Sequence, residues 1–112
     1  MWAGAAGLGL PLVPSAGLLA AGPAISIAHY RSSPHAPDGI AEEARRLTQQ
    51  AINTLGGMNR FVSRGDVVWI KPNIGWNRRP EQAATTNPDV VATLVSLCYQ
   101  AGAKRVIVSD NS

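Results

Sequence analysis

The chain has 112 residues, with 10 Lys plus Arg against 7 Asp plus Glu and a formal net charge of +3 at pH 7, a length that holds one small domain. That surplus is too mild, and Arg45, Arg46, Arg60, Arg64, Arg78, Arg79, Lys104 and Arg105 are too scattered, to build the basic stripe of a nucleic-acid-binding face. A single cysteine, Cys98, excludes an internal disulfide and any multi-cysteine metal or iron–sulfur site within this chain.

Residues 1–28 carry no charged side chain and are long enough to span a membrane by length alone. Gly4, Gly7, Gly9, Gly17 and Gly22, with Pro11, Pro14 and Pro23, disfavour a regular spanning helix. Residues 1–24 read as the apolar part of an export signal whose basic start is missing, with Ala20 to Gly22 as a small-residue cleavage region. The alternative is an apolar tail. On either reading the segment is expected not to pack into the domain, which begins at residue 25. The leader reading makes the protein exported, periplasmic or membrane-associated through residues 1–24. The tail reading leaves it cytoplasmic. The glycines of "GAAGLG" at 4–9 are in the wrong order for a dinucleotide loop, and no strand precedes them.

The run "AISIAHY" alternates and predicts a first strand at 25–30. A Pro/Gly-rich loop follows at 31–39. The stretch 40–55 sets Ile40, Ala44, Leu47, Ala51 and Leu55 on one face and Glu42, Arg45, Arg46, Gln49 and Asn53 on the other, an amphipathic helix. Asp38 serves as its N-cap and Gly56-Gly57 as its left-handed stop. A turn at Gly65-Asp66 leads into "VVWI", which has no polar alternation and reads as a parallel strand, 67–71, covered on both faces. Pro72 ends it.

Residues 74–87 form a long polar loop, a length that usually marks function or disorder. Asn87 as N-cap, Pro88 at the first helical position and Asp89 in the first turn open a helix at 88–101. Its face of Val90, Val91, Leu94, Val95, Leu97, Cys98 and Ala101 is wide enough for extensive burial. Gly102 stops it, and "RVIVSD" predicts a third strand at 105–109. The fold class is α/β, a parallel sheet of βαβαβ order with right-handed crossovers. Three strands and two helices leave a sheet edge open and a face bare. The chain therefore reads as the front part of an incomplete domain, whose remainder, or a partner chain, covers the open sheet.

Ligands of open parallel sheets bind outside the carboxyl ends of the strands. His29 or Tyr30, Lys71 with Asn73, and Asp110 fall at those ends, and Thr85, Thr86 and Asn87 lie at a helix start on the same side, where free N–H groups favour an anion. Lys71, Asn73, Thr85, Thr86 and Asp110 are the candidate ligand-binding residues, suited to the phosphate or carboxylate of a small anionic molecule. The competing reading pairs Lys71 with Asp110 across strand ends, leaves the threonines and Asn87 to capping, and notes that Asp89 repels an anion. His29 and His35 lack a third ligand at metal spacing, so no metal site is expected. Cys98 sits on the apolar stripe as a small core residue. Trp76 either stacks on a ring or anchors its loop, and Arg78-Arg79 form a solvated tip.

The stretch 56–112, with "IKPN" at a strand end, "ATTNPDVV" at a helix start, the "AGA" turn and a strand running to Asp110, resembles the bacterial and archaeal family called "domain of unknown function 362". The resemblance carries over Lys71, Pro72, Asn73, Thr85, Thr86, Pro88 and Asp110. It implies a redox-linked setting, since many members carry multi-cysteine ferredoxin-type segments, and for some members twin-arginine export. With only Cys98, no cofactor is expected in this chain, and an iron–sulfur cluster belongs to a continuation or partner. Two functions follow: the front of an exported, redox-associated α/β protein that binds a small anion, or a non-catalytic accessory module of a membrane-proximal redox system. Whether the chain is an enzyme stays open between them.

Overall fold

The computed structural model describes residues 23–30 and 37–111. Residues 1–22 of the expected leader, most of the 31–39 loop with His35, and Ser112 lie outside the described residues.

Helix α1 spans Pro37–Thr54, starting three residues before the predicted position. Pro37 at the first helical position presets φ and lacks an N–H the helix could not have used. Asp38 therefore sits in the first turn rather than at the cap, still at the positive end of the helix dipole. The closure follows from two glycines. The N–H of Gly57 donates to Ile52 O (2.9 Å) and that of Gly56 to Asn53 O (3.0 Å), with Gly56 at φ 109°, a left-handed exit open to glycine. On the exposed face Arg45 pairs with Glu42 at 2.6 Å and Arg46 with Glu43.

A 3-10 turn at Met58–Arg60 leads to strand β1, Val67–Ile70. Helix α2, Pro88–Gln100, then returns the chain to strand β2, Arg105–Val108. The strands pair in parallel, Val67 opposite Arg105 through Ile70 opposite Val108, as a strand–helix–strand crossover requires. The cap of α2 is as predicted: Asp89 N donates to Asn87 Oδ1 at 2.7 Å.

The described residues thus form a mixed α/β unit with two helices and a two-stranded parallel sheet. The predicted strand at 25–30 is absent from that sheet. An alternating run becomes a strand only where a ladder takes its backbone groups. Here Arg46 Nη2 donates to His29 O (3.4 Å) instead, and Arg60 Nη1 donates to Pro23 O (3.0 Å) just ahead of the run.

The core is small. Val62, Cys98 and Ala103 are buried, and Met58, Val68, Ile70, Ala101 and Val106 pack half-buried against them. Pleating sends Val68 and Ile70 to this side and Val67 and Trp69 to the other, where Trp69 is 70% exposed. Coverage of the "VVWI" run on both faces is therefore corrected: among the described residues helices cover one face. The apolar face predicted for α2 is likewise only half-buried apart from Cys98, while the polar Thr93 is buried. Its hydroxyl is satisfied within its own helix, donating to Asp89 O at 2.6 Å. Val62→Ala, which removes two methylene-sized groups from so small a core, is expected to lower unfolding free energy by about 2 kcal/mol in urea titrations. A change near zero would mean that this cluster is not the core.

Candidate functional site

Proline chemistry places the first group. Pro72 has no N–H with which to extend the ladder, so the chain leaves the sheet at Lys71 and turns across the end of β2. There the Lys71 ammonium donates to Asp110 Oδ1 at 2.6 Å, while Asp110 Oδ2 accepts from the N–H of Ile74 at 2.9 Å. The N–H of Asn111 adds a further bond to Oδ1 at 2.7 Å. One carboxylate thereby ties the loop after β1 to the end of β2.

The two ends of that ion pair differ in environment. The Lys71 side chain is 65% exposed and that of Asp110 only 8%. The hydrogen bond from Lys71, then those from the N–H groups of Ile74 and Asn111, hold the Asp110 carboxyl down at about 2, because each favours the charged form. An ammonium has three donors, and one is spent on Asp110.

Asn73 and Thr86 form a second tie. Thr86 N donates to Asn73 O at 2.8 Å, and Asn73 N donates to Thr86 Oγ1 at 2.9 Å. The Thr86 hydroxyl therefore positions the backbone of the 71–74 turn. Thr85 is half-buried beside it. Lys71, Asn73, Thr86 and Asp110 are thus brought together at the carboxyl end of the sheet, with Thr85 adjoining.

The helix start differs from the sequence expectation. Asp89 N is taken by the Asn87 side chain, and the N–H groups of Val90 and Val91 by Asn87 O at 3.1 and 3.3 Å. Pro88 has no N–H to offer. The start of α2 is closed upon itself, so an anion here relies on side chains.

Sequence reasoning missed two partners. The Ile74 N–H became legible only once the turn was seen. Trp69 Nε1 donates to Ser109 Oγ at 2.9 Å, although both lie on runs that read as buried strand; Ser109 lies two residues past Ile107, the register partner of Trp69, and so on the same face. Trp76 is exposed rather than anchoring its loop. Burial pushes the Cys98 thiol up, which suits an inert core residue. Among the described residues no three His, Cys, Asp or Glu side chains cluster as a metal site, and no helix is long and apolar enough to cross a membrane.

The family model "Domain of unknown function (DUF362)" matches residues 68–112, a narrower span than the 56–112 resemblance. A curated relative, "Thylakoid-associated protein sll1697" of Synechocystis sp., is 35% identical over 79 residues, which cover 70% of this chain and 23% of that protein. The chain therefore spans about a quarter of the length of the curated relative it matches. No solved structure gives a significant match.

Proposed function

We propose, for a chain whose residues 68–112 belong to the DUF362 family, that it is the front part of an α/β protein of βαβαβ order that binds a small anionic molecule at the carboxyl ends of its strands. The observation that carries this reading is the Lys71 ammonium, exposed at the strand ends with one of its donors on Asp110. Its remaining donors suit a phosphate or carboxylate oxygen. Asn73, Thr85 and Thr86 supply polar groups beside it, and Asp110 holds the lysine in place rather than meeting the anion. The redox association and the export through residues 1–24 rest on the family resemblance. An iron–sulfur cluster, if the complete protein uses one, would sit in a continuation or a partner.

The test is titration of the chain with inorganic phosphate. Lys71→Ala is expected to weaken binding about tenfold, the loss of roughly 1.4 kcal/mol that one charge-assisted contact represents. Equal affinity in wild type and Lys71→Ala, or no binding by wild type, overturns the anion site. Thr86→Val is a poor discriminator, because it also strips the acceptor from Asn73 N and loosens the turn.

A second reading, a non-catalytic accessory module of a membrane-proximal redox system, is supported by the exposed sheet face of Val67 and Trp69, which suits cover by the rest of the domain or a partner chain. The name of the thylakoid-associated relative supports membrane proximity in the same sense.

A further inference from the structure

Strand β1 has one paired edge and one open edge among the described residues. Its parity is set by two bonds on the paired side, Arg105 N to Asp66 O at 3.4 Å and Ser109 N to Ile70 O at 3.2 Å. In a parallel ladder the N–H and C=O of one residue point the same way, and those of the next residue the opposite way. Asp66, Val68 and Ile70 therefore address β2, and the backbone groups of Val67 and Trp69 face the open edge. Along that edge runs a slot of about 410 Å³ whose lining includes Met58, Phe61, Val62, Val68, Trp69 and Leu94.

Residues 25–30 do not line this slot, but they already alternate in burial as a strand does. Ser26 and Ala28 are half-buried, whereas Ile25 and Ile27 are 76% and 72% exposed. Ala28 faces a hollow shared with Leu47, Ala51 and Leu94, and Leu94 also borders the slot on β1. The inward positions of the segment and of β1 thus meet one helix layer. Ile25 and Ile27 are left exposed, as Val67 and Trp69 are.

We propose that the open edge of β1 accepts residues 25–30 of this same chain as a third parallel strand, with Ser26 beside Val68 and Ala28 beside Ile70. It rests on the βαβαβ order proposed above and adds the occupant, the edge and the register. In this register Val67 O accepts from Ser26 N, Trp69 N donates to Ser26 O, and Trp69 O accepts from Ala28 N. Helix α1 supplies the crossover, of the length a parallel connection needs. Ile25, Ile27, Val67 and Trp69 then form one continuous outer face. His29 arrives beside Lys71, which adds an imidazole to the strand-end cluster.

The test compares two prolines in the full chain. Ala28→Pro removes a donor aimed at β1, whereas Ile27→Pro removes one that points to the outer edge, where proline is tolerated. Hydrogen exchange at the Trp69 amide is expected to be slow in wild type and in Ile27→Pro, and roughly 5- to 30-fold faster in Ala28→Pro. Wild type should also show backbone nuclear Overhauser contacts between 25–28 and 67–69, a readout that stands even where Ala28→Pro does not fold. An unprotected Trp69 amide in wild type overturns the proposal, as does equal exchange in the two variants. Protection that appears only in a sedimenting dimer overturns the same-chain occupant in favour of a second copy. Phosphate titration of the same samples separates the readings: binding retained without strand contacts sinks the docking alone, and strand contacts without binding sink the anion site alone.

Discussion

Gly102→Ala is expected to lower unfolding free energy by about 2–3 kcal/mol, one of the two largest effects we expect from a single change in this chain. Gly102 sits at φ 104°, and a Cβ built there meets the backbone Cα of Arg64 at 3.1 Å. Backbone cannot swing aside as a flexible side chain can. The same residue accepts from Gly65 N at 2.8 Å, so any shift pulls on the turn into β1 and on the start of β2 together. Gly57 is the control: its φ is 86° but a Cβ would meet nothing within 4 Å. Gly57→Ala should cost about 1 kcal/mol from backbone strain alone. Urea titration measures both. Equal losses would remove the close approach to Arg64 from the account, and no loss at Gly102 would remove the left-handed turn as well.

The second large effect is at acid pH and belongs to Asp110. Its folded carboxyl titrates at about 2 against an ordinary value of 3.8. As pH falls below 3.8 the unfolded chain takes up a proton that the folded chain still refuses. The stability Asp110 contributes is therefore whole above that value and drains away as pH falls towards 2. Asp110→Asn should flatten the stability profile across this window and weaken the chain at neutral pH, since the Lys71 pair goes. Asp110→Ala should weaken it further, because the N–H groups of Ile74 and Asn111 lose their acceptor as well. Glu43 is also lowered, chiefly by its hydrogen bond from Arg46, so the wild-type slope includes both acids. The difference between wild type and Asp110→Asn isolates one. Parallel profiles for those two proteins from pH 4 to 2 would show that Asp110 is not held anionic by folding.

Much of this was written locally. Asn87, Pro88 and Asp89 specify the start of α2 because a cap depends on side chains within three residues. Gly56-Gly57 specify the end of α1 because a left-handed exit depends on a missing Cβ. The Lys71 and Asp110 strand ends were legible since Pro72 stops a ladder wherever it occurs. Where the sequence reading went astray, the deciding partner was remote. "VVWI" read as covered on both faces, yet coverage depends on what packs there, and the described helices reach only Val68 and Ile70.

From the residues alone came the α/β class, the two helices, the strands at β1 and β2 and the polar groups gathered at their ends, since periodicity, caps and breakers act over one or two turns of chain. The tertiary structure decided how those polar groups are spent. Lys71 meets Asp110 across 39 positions, and Ile74 N reaches the same carboxylate across 36, distances over which no local pattern speaks. It also shows no ladder between 25–30 and β1, and gives the His29 carbonyl to Arg46. An alternating run offers its backbone groups to any partner, and whether a neighbouring strand or the guanidinium of Arg46 takes them is settled by packing.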